Sequence, residues 1–179
     1  MSVNTENLYI KCWIGNLGKY NEGELIGEWF TLPVDMEEVA EKIGLNEEYE
    51  EWQINDYETN IPGFTIHHYD SIDRLNEFAE QLETLEEDEK LKLMAYCQEY
   101  GASQLLREYD SIDFDDCIVY YDVNDMADIA YELVNEYGAF GVIPENILRY
   151  FDYEALGRDL DIEGTYVFLD DGVCVEFIR

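Results

Sequence analysis

The sequence predicts a mixed α+β protein, elongated and built from three small sub-domains, on three observations. Short runs of β-branched and aromatic residues cluster near both ends of the chain, apolar residues recur at helical spacing through its middle, and turn residues mark the boundaries. The expected layout is an antiparallel β-sheet with one helix in residues 1–68, a helical middle in 69–108, and an α+β domain of sheet plus helices in 109–179, closing on a β-hairpin.

Residues 8–14 (LYIKCWI) and 26–32 (IGEWFTL) read as strands joined by the turn-rich LGKYNEGEL. A helix is expected from Asp35 to about Ile43, with Asp35 as N-cap and Gly44 as its stop. Residues 50–55 (EEWQIN) supply a third strand. From Asp70 the period changes: Ile72, Leu75, Phe78, Ala79, Leu82 and Leu85 form one apolar helical face. A second helix covers Asp88–Tyr100 and ends at Gly101, and a short third runs to Arg107. In the last segment CIVYY (117–121) is a strand, and Asn124 caps an amphipathic helix reaching about Tyr137. Pro144 opens a short helix, Glu154–Asp161 forms another, and TYVFLDDGVCVEF is a hairpin turning at Asp170-Asp171-Gly172. The pentapeptide YDSID occurs at 69–73 and 109–113 with divergent flanks, which reads as a recurring helix or turn entry rather than a repeat.

The charge is extreme: 43 Asp and Glu against 10 Lys and Arg, a formal −33 over 179 residues. Disorder requires low hydrophobicity as well, and hydrophobic residues make up 47% of this chain, with 15 Tyr among them. The chain therefore folds and wears its charge outside. The acids do not form a tail: there are 14 against 3 bases in residues 1–68, 11 against 4 in 69–108, and 18 against 3 in 109–179. Self-repulsion on this scale opposes a compact shape. A globule of this length would have a diameter of roughly 40 Å, whereas the same charge spread at the phosphate density of B-DNA occupies roughly 55 Å of duplex.

Cys12, Cys97, Cys117 and Cys174 lack CxxC spacing and lie in or beside apolar stretches, as buried thiols do. No secretory signal and no uncharged run of membrane-spanning length is visible, which places the protein in the cytoplasm and off the membrane. Paired carboxylates could serve a glycosidase, but with so many acids some pair always fits. His67 and His68 are adjacent and lack the spacing of a two-histidine metal site. Asp152 to Glu163 meets positions 1, 6 and 12 of an EF-hand loop, but Leu156 stands where an oxygen ligand is required. No nucleotide or nucleophile fingerprint occurs. The expectation is a protein without catalytic residues, metal or cofactor. Direct nucleic-acid binding needs a basic footprint, which this chain lacks; Arg149 and Arg158 read as local salt-bridge partners.

One-sided acidity is the clearest functional pattern. Asp125, Asp128, Glu132 and Glu136 are spaced to fall on one line of a helix, and Asp35/Glu38/Glu41 and Asp73/Glu77/Glu80 repeat the pattern. Like charges one turn apart destabilise a helix by ~0.2–0.5 kcal/mol per pair. A solvated face ordinarily interleaves Lys or Arg, yet none occurs between Arg107 and Arg149. These ten carboxylates are the candidate surface that imitates a DNA backbone.

Leu17–Pro33, LGKYNEGELIGEWFTLP, resembles the N-terminal signature of the ArdA antirestriction family, and Tyr150–Phe168, YFDYEALGRDLDIEGTYVF, resembles its C-terminal signature. The resemblance runs over nearly the whole chain in order and length, more loosely through 70–108. It implies an inhibitor carried by mobile elements that mimics B-DNA, occupies the DNA site of type I restriction-modification enzymes, and is an elongated three-domain homodimer. The motif residues Gly18, Gly23, Tyr153 and Gly157 are expected to be structural. An acidic module for another basic DNA-binding protein shares every compositional feature, and only the two motifs separate the readings.

Overall fold

In the computed structural model, residues 7–178 are described, apart from the side chain of Asp110. Residues 1–6, on which the reading of the N-terminus rests in part, and Arg179 lie outside the described residues. The fold is α+β, and the chain divides into two compact units that meet between Ile112 and Asp113.

The first unit is organised by β1 (Ile10–Asn16), which pairs antiparallel with β2 (Gly27–Thr31) on one side and β3 (Trp52–Thr59) on the other. Alternation along β1 buries Ile10, Cys12 and Ile14. The turn-rich stretch after β1 is not all loop: Leu17–Asn21 forms a one-turn helix, α1. The signal lay in Asn16, whose side chain accepts from Lys19 N at 3.0 Å and donates to Ile43 O at 3.2 Å. One buried asparagine thus caps α1 and ties it to the end of α2 (Met36–Ile43). Asp35 caps α2 by accepting from Glu37 N, and Gly44 ends it in the left-handed conformation at φ 70°.

Three helices complete this unit. Helix α3 (Ile72–Leu82) buries Ile72, Leu75, Phe78, Ala79 and Leu82, while Leu85 falls beyond its end. Phe78 stacks on Phe64 at 5.5 Å. The Asn76 side chain accepts from Val34 N and donates to Val34 O, joining α3 to the sheet segment. Helix α4 (Glu87–Tyr100) buries six of its residues, from Leu91 to Cys97, and α5 (Ala102–Glu108) follows Gly101. The two copies of YDSID differ: Ser71 of the first caps α3, whereas the second starts in a single 3-10 turn after α5. The pentapeptide is no repeat.

The second unit holds β4 (Cys117–Tyr121), β5 (Thr165–Leu169) and β6 (Val173–Phe177), antiparallel in the order β4-β6-β5. The β5–β6 hairpin turns through the three residues Asp170–Gly172, with Asp171 and Gly172 both at positive φ. Helices α6 (Met126–Asn135), α7 (Glu145–Leu148) and α8 (Tyr153–Glu163) accompany the sheet. Tyr120, Val123, Ile129 and Cys174 form the core. The cap of α6 is Asp125 rather than Asn124, because Asp125 accepts from both Ala127 N and Asp128 N. The would-be EF-hand segment is helix α8 with Asp152 as its cap, so its acids cannot wrap one cation.

All four cysteines are free and buried. Burial pushes the thiols of Cys12, Cys97 and Cys174 up to about 12, with Asp70 adding to the shift at Cys12 and Glu176 at Cys174. Burial and the neighbouring Glu108 likewise push Tyr96 up to about 12. A folded pKa above the unfolded value stabilises below the unfolded pKa, and that stability is lost as pH rises towards the folded one. The melting temperature should therefore fall steadily above about pH 9. Iodoacetamide at mildly alkaline pH should modify these thiols only after unfolding in urea; equal rates in the folded protein would place them at the surface.

Candidate functional site

Among the described residues no Asp, Glu, Lys or Arg is buried; Asn16 and Gln53 are the buried polar side chains. The acidity of the described residues is thus a surface property. No group of three or more His, Cys, Asp or Glu among the described residues is placed to hold a metal ion. His68 lies beside β3, its Nδ1 2.7 Å from Ile54 O, and His67 N donates to Asp70 Oδ2. Both histidines are local structure.

The ten sequence-chosen carboxylates fall into two groups. Five have duties inside the protein. Asp35 and Asp125 cap helices, Asp128 accepts from Asn124 N at 2.8 Å, Glu38 pairs with Lys42 at 2.9 Å, and Glu77 pairs with Arg74 at 3.0 Å. The other five, Glu41, Asp73, Glu80, Glu132 and Glu136, make no ion pair or side-chain hydrogen bond among the described residues. The line on α6 runs from its N-cap Asp125 to its C-cap Glu136.

The cations of the first unit are largely neutralised. Lys19 lies 2.9 Å from Glu22 and 4.2 Å from the Tyr49 ring centroid, and Tyr49 OH donates to the same carboxylate. The bond from Lys19 holds Glu22 below the usual carboxylate range. Lys42 bridges Glu38 and Glu28, and Lys11 reaches Glu58 at 3.8 Å. In the second unit Arg149 and Arg158 are exposed and form no salt bridge among the described residues, contrary to the reading of the sequence. Arg149 is the C-cap of α7 and Arg158 lies within α8.

Sequence spacing missed a further set. A helix end concentrates partial negative charge at its C-terminus, where a cation stabilises and an anion opposes by ~0.3–1 kcal/mol. The four helices of ten or more residues, α3, α4, α6 and α8, carry no basic residue in the last turn. Each carries acid there instead: Glu80, Glu99, Glu132, and Asp161 with Glu163. Acids in first turns, such as Glu37, Asp73 or Glu154, have a stability rationale; these last-turn acids have none. The signal was available in the sequence as acids just before each expected helix stop.

No helix among the described residues is long and apolar enough to cross a membrane. The sequence model of a family described as antirestriction protein (ArdA) matches residues 12–175. No curated protein matches the chain.

Proposed function

The chain belongs to the ArdA antirestriction proteins, and from that premise we propose that it mimics B-DNA and occupies the DNA site of type I restriction-modification enzymes. That family is not a catalytic one, and the protein acts stoichiometrically, as a cytoplasmic inhibitor spread by mobile elements. The observation that carries the reading is the acid at the end of every long helix, where stability calls for a base. Charge retained against stability is charge with an external use. The three segments 1–68, 69–108 and 109–179, each strongly acidic, extend the array along the chain.

The mechanism is electrostatic competition. A groove built for phosphates sheds condensed counterions when it meets its ligand, and carboxylates at comparable density exploit the same attraction. Phosphate-like contacts carry no base sequence, so inhibition is independent of the enzyme's recognition sequence. Titrating the protein into a type I methyltransferase bound to labelled duplex should release the DNA stoichiometrically. Potency should fall by about 10³-fold or more between about 50 and 200 mM salt if six or more carboxylates engage. The same salt should raise the protein's own melting temperature, because it screens self-repulsion. No release at large excess in low salt, from folded protein, would overturn the reading in favour of another basic partner.

The protein also acts as a homodimer on this proposal. Residues 137–150 carry one acid and one base, and Tyr137, Phe140, Val142, Ile147 and Tyr150 are exposed there. A patch this free of charge is the surface of the second unit where two copies of so acidic a chain meet at least electrostatic cost. Val142 is fully exposed, so Val142→Glu should leave the fold intact and convert a dimer to monomer in sedimentation. An unchanged sedimentation coefficient would remove this face from the interface.

A further inference from the structure

The first sheet keeps one face open to solvent, and tryptophan dominates it. Alternation along β1 buries Ile10, Cys12 and Ile14 and turns Lys11, Trp13 and Gly15 the other way. Directly across on that face stand Thr31, Trp29 and Gly27 of β2, and Glu58 and Asp56 of β3. Trp13 thus has Trp29 on one side and Asp56 on the other. The β3 register shifts immediately after it, a bulge of the kind that re-aims side chains. Trp29 is 41% exposed, and Thr31, Asp56 and Glu58 are exposed with it. We propose that this face docks an arginine side chain displayed by the basic partner enzyme, its guanidinium stacked on tryptophan and paired with Asp56. The identity of the partner rests on the reading above; the platform adds a contact that phosphate imitation does not supply.

The platform is built in advance. Gly15 and Gly27 face each other across the strands, and the Trp13 indole lies over both: a Cβ at Gly15 would stand 2.7 Å from the ring, and one at Gly27 would collide with it. Glycine weakens a strand interior, and here the pair forms a floor that fixes the indole, so little side-chain entropy is left to lose on binding. Packing over glycine accounts for Trp13 as sheet stabilisation. It does not account for Trp29, which is exposed on the edge strand β2.

The charge on this face selects a cation. Lys11 is compensated by Glu58 at 3.8 Å, whereas Asp56 forms no ion pair among the described residues. One Asp56 oxygen accepts from Tyr57 N at 2.8 Å, and no lysine or arginine lines the cavity of about 240 Å³ that Asp56 shares with Tyr57, His67 and His68. One base against two acids leaves the face net negative. Tryptophan is the strongest aromatic acceptor of a cation. Arginine suits it better than lysine, because the guanidinium is planar, weakly hydrated and able to hold a carboxylate while stacked. Tryptophan and arginine are also the residues that most often dominate binding energy at interfaces.

Titrating capped oligo-arginine and oligo-lysine peptides of equal length into the full chain at ~0.15 M salt and about pH 8, where histidine is neutral, tests the platform. The general acidity attracts both peptides, so the preference for arginine and its dependence on Trp29 isolate this face. Oligo-arginine should bind about fivefold or more tightly and shift the indole N–H resonances of Trp13 and Trp29 saturably. Trp29→Leu replaces an exposed edge-strand residue, and Asp56→Asn keeps an acceptor for Tyr57 N. Both variants should hold the melting temperature and lose the arginine preference. Equal affinity for the two peptides, indole resonances that stay in place, or a preference that survives either substitution would overturn the proposal. No restriction enzyme takes part, so a missing preference leaves DNA displacement untouched, and failed displacement leaves the preference measurable.

Discussion

Replacing Glu41, Asp73, Glu80, Glu132 and Glu136 together by their amides should leave the protein folded and weaken its inhibition by on the order of 10³-fold at ~0.15 M salt. The magnitude follows from counterion release, in which each lost phosphate-like contact removes roughly 0.9 from the salt exponent. Five contacts then amount to a few thousandfold, and two to roughly thirtyfold. Single amide variants should lose only a few-fold each, because the binding is spread. Stability should move the other way. Glu80 and Glu132 lie in last turns and Glu136 is a C-cap, so neutralising them relieves an unfavourable charge–dipole interaction of ~0.3–1 kcal/mol each.

The contrasting set makes the experiment decisive. Asp35→Ala and Asp125→Ala remove N-caps and should cost about 1 kcal/mol each in stability. Asp35→Asn and Asp125→Asn keep the cap and remove the charge. Inhibition can be compared with melting temperature across both sets, measured as the concentration that releases half of the bound duplex. Less than tenfold loss in the five-amide variant, with the fold intact, would falsify the assignment of these faces to partner binding.

The architecture was legible because this sequence punctuates itself well. Asp35 and Gly44 bracket α2, Ser71 opens α3, Gly101 separates α4 from α5, and Asp171-Gly172 fixes the hairpin. What escaped was decided by competition between adjacent polar residues. Asn124 and Asp125 are both good caps, and the choice fell to the carboxylate that reaches two amides at once. Helix α1 escaped because its five residues bury no side chain, and it persists through Asn16 and the Lys19–Glu22–Tyr49 cluster, both of which need partners distant in sequence. The candidate surface was legible as one-sided acidity. Its division into carboxylates that hold the fold and carboxylates free to face a partner was not, since Glu38 and Glu77 are distinguished from Glu41 and Glu80 only by where Lys42 and Arg74 reach.

Gly157 carries the largest stability effect expected from a single methyl group. It sits buried within α8, where a glycine ordinarily costs ~1 kcal/mol relative to alanine, so Gly157→Ala would stabilise a free helix. Here the helix lies against the start of α6. A Cβ at Gly157 would stand 2.5 Å from the Met126 carbonyl oxygen and 3.0 Å from Ala127 N. That backbone cannot retreat freely, because Ala127 N is the amide that Asp125 caps at 2.8 Å. Overpacking of this kind costs ~1–3 kcal/mol, enough to outweigh the propensity gain. Gly157→Ala should therefore lower stability by about 1–2 kcal/mol, and Gly157→Val by more, with the melting temperature dropping by roughly 4–8 °C per kcal/mol for a unit of this size. Asp125→Ala combined with Gly157→Ala should cost less than the sum of the two, since loosening the cap lets the α6 backbone give way. An alanine variant that melts at or above the parent temperature would mean that α8 does not approach α6 this closely, and that the glycine of the C-terminal signature serves something other than packing.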